Sequence, residues 1–160
     1  MRFSPSSLNS NIRILYTPLV TRVALPELSY FARNILAVLE LAEHKDTATI
    51  LALEGNLGAG KTTFVQSFAR ELGVKDVVQS PTYVLMKTYP LELSGASATV
   101  NKKFTKLVHI DAYRLESPEE FDALRPDEFL NDPHALVVVE WPQKLGDRLP
   151  KPDMTLTFSA

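Results

Sequence analysis

The sequence predicts an α/β fold, a three-layer sandwich with a mostly parallel central sheet and helices on both faces. Two short apolar runs, residues 48–53 and 135–139, are typical of strands that are covered on both faces in a parallel sheet. Amphipathic helical patterns alternate with these runs, and a glycine-rich turn follows the first of them. The length of 160 residues suits one domain, so we assign residues 1–160 to a single unit, with residues 1–11 as a flexible N-terminal arm.

The chain before the glycine-rich turn is predicted to form a strand, a helix and a buried strand. Ile12, Ile14 and Tyr16 occupy alternate positions, as in a half-buried strand. An apolar stripe at helical spacing follows, and it consists of Leu28, Phe31, Ala32, Ile35, Leu36 and Leu39. Pro26 suits the start of this helix, and the run at residues 48–53 forms the strand that leads into the turn.

After the turn, the pattern predicts a second helix and three strands. Residues 64–72 keep helical spacing up to Gly73, a residue that suits the end of a helix. Strands are predicted at residues 77–78, 83–89 and 107–111, and the last of these ends in an acid.

The rest of the chain is predicted to contain a loop, a helix and two strands, of which residues 135–139 form the first. Residues 94–103 are small and polar, which indicates a surface loop. Ser117 is followed by a proline and two acids, a pattern that marks the start of a helix, and residues 127–133 form a polar connection. Leu156 and Phe158 indicate a final strand.

Composition excludes several classes of protein. The chain has 17 Lys and Arg against 19 Asp and Glu, a net charge of -2, which excludes a generally basic nucleic-acid coat protein. It has no cysteine, so disulfides, thiolate zinc sites and cysteine nucleophiles are excluded. No apolar run approaches the ~18 residues of a membrane span. The arginine- and serine-rich N-terminus can mark an organelle transit peptide, but a polar arm before the first strand is favoured.

The glycine-rich turn matches a phosphate-binding motif. Residues 55–62 read GNLGAGKT, which fits G-x-x-x-x-G-K-[ST], a pattern that a chain of this length would match by accident about once in 200. Glycines let backbone N–H groups surround a phosphate, and the following helix adds free N–H groups and the positive end of its dipole. We expect Lys61 to reach the β- and γ-phosphates of a nucleoside triphosphate, Thr62 to ligate Mg²⁺ and Thr63 to contact the α-phosphate.

Two acids, Asp111 and Glu140, stand at the carboxyl ends of predicted strands, where a doubly wound sheet places its chemistry. Spacing alone leaves open which of them serves the metal and which the attacking water. Residues 80–83 read SPTY and form either a γ-phosphate sensor or an ordinary proline turn. His109 shares a strand face with Asp111, and Trp141 follows Glu140; for both, a structural role is the simpler interpretation.

Four motifs occur together in an order that resembles a known family. They are residues 58–64 (GAGKTTF), 80–83 (SPTY), 109–115 (HIDAYRL) and 139–142 (VEWP). The chain resembles the TsaE (YjeE) family, the bacterial ATPase of tRNA threonylcarbamoyladenosine biosynthesis, over roughly residues 25–158.

The resemblance implies a P-loop NTPase-like fold and a weak Mg²⁺-dependent hydrolysis of ATP that partners stimulate. It implies a cytoplasmic accessory subunit that acts with the TsaD and TsaB proteins and does not sit in a membrane. These partners transfer a threonylcarbamoyl group to adenosine 37 of tRNAs reading ANN codons, so the tRNA is reached only indirectly, through the complex.

The resemblance also implies roles for single residues within these motifs. Thr62 and Glu140 would hold the Mg²⁺ ion. Asp111, Lys61 and a switch-like Thr82 would take part in catalysis. The implied nucleotide-binding residues are Gly58, Ala59, Gly60, Lys61, Thr62, Thr63, Trp141 and Ser29, the last through a match to a family threonine near the adenine.

The chain departs from the family pattern at two places. Asn56 stands where an aspartate is common, and the chain stops at Ala160, where members usually continue through a final strand pair with a basic residue. We expect that basic contact to be missing or to come from a partner. The alternative functions are a small-molecule kinase, for which no arginine-rich lid is evident, and a nucleotide-dependent assembly module that does not hydrolyse ATP.

Overall fold

Among the described residues, the central sheet has six strands, and the four inner ones are parallel. The computed structural model describes residues 2–4, 23–79, 81, 84–91 and 103–159. The strands are β1 (Arg2–Ser4), β2 (Thr49–Gly55), β3 (Met86–Pro90), β4 (Lys106–Asp111), β5 (Ala135–Glu140) and β6 (Met154–Phe158). Their order is β1-β6-β2-β5-β4-β3, in which only the two outer pairs are antiparallel.

Two layers cover the sheet. On one face pack α1 (Leu28–Leu41) and α2 (Lys61–Leu72), and on the other a 3₁₀ helix (Pro118–Leu124) and α3 (Asp127–Leu130). This arrangement confirms the predicted sandwich and its mostly parallel sheet.

The apolar run before the glycine-rich turn is explained by its place inside the sheet. Leu51 and Leu53 of β2 point into the core beneath α1 and α2, whereas Ala48 and Ile50 point into the core on the opposite face. Because β2 lies inside the sheet and helices pack on both faces of that sheet, both faces of residues 49–53 are removed from water and neither face selects polar residues. The six residues of β5 are all buried for the same reason.

The ends of the helices follow their sequence signals. Pro26 lies in a 3₁₀ turn, Leu25–Glu27, that leads directly into α1. Gly73 ends α2 in a left-handed conformation with φ of 94°. At the predicted helix start, the Ser117 N–H donates to the Glu120 carboxylate at 3.0 Å, but the helix that follows is 3₁₀ rather than α.

Three sequence predictions differ from the structure. Residues 77–78 do not form a strand, and the strand predicted at 83–89 begins only at Met86. The chain turns instead at Leu85, which has φ of 63° and donates its N–H to the Pro81 carbonyl. The polar connection predicted at 127–133 contains α3, because a buried apolar pair, Phe129 and Leu130, anchors that turn of helix to the core.

Several predictions fall outside the described residues. These are the strand at residues 12–17, almost all of the N-terminal arm at 1–11, and the loop at 94–103 except for its last residue. Within the described ranges, no helix combines the length and the apolar character that crossing a bilayer requires.

Gly55 joins β2 to the glycine-rich turn at a place that has no room for a side chain. Its φ is 135°, and a Cβ atom there would come within 2.4 Å of the Phe158 carbonyl oxygen on β6. We expect Gly55→Ala to lower the free energy of unfolding by about 3 kcal/mol, since it adds a backbone clash to an unfavourable dihedral angle. Denaturant unfolding monitored by circular dichroism measures the loss.

Gly73→Ala is the matched control for this substitution. Gly73 also has a positive φ, of 94°, but an added Cβ would meet no atom within 4 Å. Gly73→Ala should therefore lower the free energy of unfolding only through the unfavourable positive φ, by about 1 kcal/mol. Equal losses in the two variants would contradict a clash between Gly55 and β6.

Candidate functional site

The glycine-rich turn connects a buried strand to the N-terminus of a helix, as its motif predicts. Gly58 and Gly60 have φ of 78° and 96°, in the left-handed region that side chains rarely adopt. α2 begins immediately afterwards at Lys61, so the free N–H groups of its first turn lie beside the turn. A backbone of this shape at a helix N-terminus provides the donors that a phosphate group needs.

Lys61 folds back over the turn. Its side chain is almost buried, with 4% of the residue exposed, and Nζ donates to the Gly55 and Asn56 carbonyls at 2.7 and 2.9 Å. The same nitrogen lies 4.1 Å from the centre of the Trp141 ring. The structure therefore holds an ammonium group within the turn, on contacts that phosphate oxygens could replace.

The two acids lie side by side at the carboxyl edge of the sheet. Asp111 is the last residue of β4 and Glu140 the last of β5, and the two are register partners across these parallel strands. Both are buried. The Thr62 hydroxyl donates to the Glu140 carboxylate, at 3.0 Å from Oε2 and 3.1 Å from Oε1. Glu140 is thus the acid that touches the end of the phosphate-binding motif.

The electrostatics of the site centre on Lys61. Burial lowers the pKa of its ammonium group from the ordinary value, while the nearby Glu140 and Asp111 carboxylates act in the opposite direction. The ammonium thus has only part of its water shell, and its nearest polar contacts are neutral carbonyls. A phosphate would give this cation a stronger partner than it has in the free chain.

Asp111 and Trp141 form the rim of the site. Oδ1 of Asp111 accepts the Tyr113 backbone N–H at 3.1 Å, which fixes the carboxylate at the start of the loop after β4. The Tyr113 and Trp141 rings lie 5.0 Å apart, and Trp141 has a left-handed φ of 60°. That backbone turn places the Trp141 ring against Lys61 instead of continuing β5.

His109 is a site residue for which sequence reasoning favoured only a structural role. It lies two residues before Asp111 on the same face of β4, and its Nε2 is 2.9 Å from Glu140 Oε1. No local signal in the sequence identifies this contact, because it follows from the strand register: Asp111 is the partner of Glu140, so His109, two positions earlier on β4, lies diagonal to Glu140.

The remaining residues that were predicted to bind or act on the nucleotide are Thr63, Ser29 and Thr82. Thr63 is exposed in the first turn of α2. Ser29 lies between α1 and α2, with its hydroxyl 3.2 Å from that of Ser67. Thr82 lies outside the described residues, so its switch-like role stays a prediction.

The oxygens at the end of the motif fit one kind of metal ion. The Thr62 hydroxyl and the Glu140 carboxylate are hard oxygen donors in contact with each other. The described residues contain no cluster of three or more His, Cys, Asp or Glu side chains that could hold an ion. Mg²⁺ commonly takes only one or two protein oxygens and completes its shell with water and phosphate oxygens, so this pair fits a magnesium ion bound together with a nucleotide.

These features define a class of protein. A parallel sheet, a phosphate-binding turn between a buried strand and a helix, and an acid on the neighbouring strand that contacts the motif's threonine belong to the P-loop NTPase-like fold. A solved structure supports this assignment: the crystal structure of Bacillus subtilis YdiB superposes with a TM-score of 0.57 at 27% identity, covering 85% of this chain and 72% of that one.

The family is equally well defined. The model of the family described as "Threonylcarbamoyl adenosine biosynthesis protein TsaE" matches residues 28–160, and the chain belongs to this family. Its relatives include the tRNA threonylcarbamoyladenosine biosynthesis proteins TsaE of Bacillus subtilis (37% identical over 102 residues) and Haemophilus influenzae (31% over 128 residues). The first alignment covers 64% of this chain and 56% of its relative, and the second covers 80% and 73%. The chain thus spans little more than half of the Bacillus subtilis protein.

Proposed function

We propose that this chain binds and hydrolyses ATP with Mg²⁺ as an accessory subunit for the threonylcarbamoyl modification of adenosine 37 in tRNAs reading ANN codons. Its partners in this proposal are TsaB and TsaD, and its compartment is the cytoplasm. Membership of the TsaE family supports the pathway. The observation that carries the nucleotide chemistry is the contact of the Thr62 hydroxyl with the Glu140 carboxylate at 3.0 Å, because it joins the phosphate-binding motif to a buried acid.

Nucleotide binding begins in this proposal with Lys61. Its ammonium exchanges the Gly55 and Asn56 carbonyls for phosphate oxygens, which form stronger, charge-assisted hydrogen bonds. The N–H groups of the turn and of the first turn of α2 donate to the remaining phosphate oxygens. Thr63 contacts the α-phosphate, and Trp141 lines the pocket beside the ammonium.

The two neighbouring acids have different roles in the proposed hydrolysis. Thr62 and Glu140 would hold Mg²⁺, which when bound would offset the charge that develops on the phosphate oxygens. Asp111 orients the attacking water and accepts its proton, and its carboxylate is kept in place by the Tyr113 N–H. Thr82 acts as a switch-like residue, and Ser29 lies on the adenine side.

Phosphate release under three conditions tests the proposal. We expect slow release from the purified chain with ATP and Mg²⁺, faster release when TsaB and TsaD are added, and no phosphoryl transfer to small-molecule acceptors. Stimulation should coincide with tRNA modification in a reconstituted reaction. Transfer to an acceptor would instead show a kinase, and the absence of turnover under every condition would show an assembly module that only binds nucleotide.

A further inference from the structure

We propose that His109 is a positioning residue that orients the Glu140 carboxylate toward Thr62 and the metal ion. This inference rests on the proposed function, since it assigns the way in which the metal-side acid of that same site is held. It adds a residue that neither the motif chemistry nor the family description assigns a role. The contacts that support it surround the Glu140 carboxylate, on the face of the sheet that α2 covers.

The contact between His109 and Glu140 is completely enclosed. His109 is 0% exposed and Glu140 2%, and Nε2 lies 2.9 Å from Oε1. Water therefore does not compete for this hydrogen bond, and a carboxylate in such a place adopts the orientation that its donors dictate. The two contacts come from different elements: the imidazole from the neighbouring strand β4 and the Thr62 hydroxyl from α2.

The hydrogen-bond pattern leaves one nitrogen of the imidazole for Glu140. Within the described part of the chain, His109 Nδ1 has no hydrogen-bond partner, whereas Nε2 faces Oε1 of Glu140. A carboxylate oxygen accepts hydrogen bonds, so the inference assigns the donor of this contact to Nε2. A lysine or arginine in this place would instead repel the metal ion.

His109 holds Glu140 independently of Thr62. The Thr62 hydroxyl donates its proton to Glu140, and its lone pairs would be free to ligate Mg²⁺ at the same time. The imidazole contacts the same carboxylate at Oε1 from a different element, so it would restrict the orientation of Glu140 whether or not the ion is bound. Hydrogen-bonded partners behind metal ligands commonly change metal affinity or activity 10–100-fold when removed.

Two substitutions separate positioning from packing. His109→Gln can keep an N–H donor near the place of Nε2, whereas His109→Leu fills similar space without a donor. We expect His109→Leu to raise the Mg²⁺ concentration needed for half-saturation with a non-hydrolysable ATP analogue by about 10–100-fold. His109→Gln should recover most of this affinity, and both variants should bind the analogue in EDTA as the wild type does. Calorimetry on the whole chain measures both quantities.

Three outcomes would overturn the inference or its basis. His109→Leu with the Mg²⁺ dependence of the wild type would refute positioning. Equal losses in both variants, in EDTA as well as with Mg²⁺ and together with lower unfolding temperatures, would show that His109 only fills the core. A wild-type chain that binds no analogue under either condition would refute the proposed function itself, and the role of His109 with it.

The imidazole proton gives a readout that needs no nucleotide. In the free chain, nitrogen-15 NMR should show His109 Nε2 carrying the proton and Nδ1 bare at neutral pH, and Glu140→Leu should abolish this fixed tautomer. A proton found on Nδ1 would overturn the hydrogen-bond assignment on which the inference stands.

Discussion

Lys61→Met is expected to weaken ATP binding by roughly 100-fold. The substitution keeps most of the apolar stem beside Trp141 but removes the ammonium that the structure holds within the phosphate-binding turn. Charge-assisted hydrogen bonds are worth about 1.5–3 kcal/mol each, so losing those to the β- and γ-phosphates costs about 3 kcal/mol or more. Titration of a labelled ATP analogue measures the change in dissociation constant.

The control for this variant is an exposed lysine away from the turn. Lys151→Ala, just before β6, removes the same charge from the surface and should leave ATP affinity unchanged. Unfolding must be measured as well, because without Lys61 the buried Glu140 and Asp111 carboxylates lose a nearby cation. Undiminished binding by a folded Lys61→Met chain would refute a phosphate site in this turn.

The features that could be predicted from the sequence are those that depend on a short, continuous stretch of residues. The turn at residues 55–62 and the buried strand before it follow from local composition, and the structure has both where they were expected. Glu140 and Asp111 could be placed at strand ends for the same reason. The sequence could not order the strands, because β2 pairs with β5 and β6, which follow it by more than 80 residues.

The features that were missed depend on distant contacts or on unusual backbone. The His109–Glu140 hydrogen bond needs the register of β4 against β5, which no local pattern specifies. The late start of β3 coincides with a positive φ at Leu85, a conformation that a leucine rarely adopts. The short helix α3 was predicted as a polar connection, because the core that buries Phe129 and Leu130 is built from distant parts of the chain.

The second large effect is expected for the two acids, in turnover rather than in affinity. We expect Glu140→Ala and Asp111→Ala each to lower the rate of phosphate release by about 100-fold or more, the usual loss when one group that acts on the reacting charge is removed. ATP affinity should change far less, since Lys61 and the N–H groups of the turn supply most of the phosphate contacts. Multiple-turnover assays and equilibrium titration on the same samples separate the two quantities.

The comparison between the two variants tests whether Glu140 acts through the metal ion and Asp111 through the attacking water. Glu140 contacts Thr62, so raising the Mg²⁺ concentration should partly restore Glu140→Ala, whereas Asp111→Ala should stay slow at every Mg²⁺ concentration. Glu54→Ala removes an exposed carboxylate near the end of β2 and should turn over like the wild type. Wild-type turnover in either acid variant would remove that residue from the mechanism, and a Mg²⁺ response in Asp111→Ala alone would exchange the two roles.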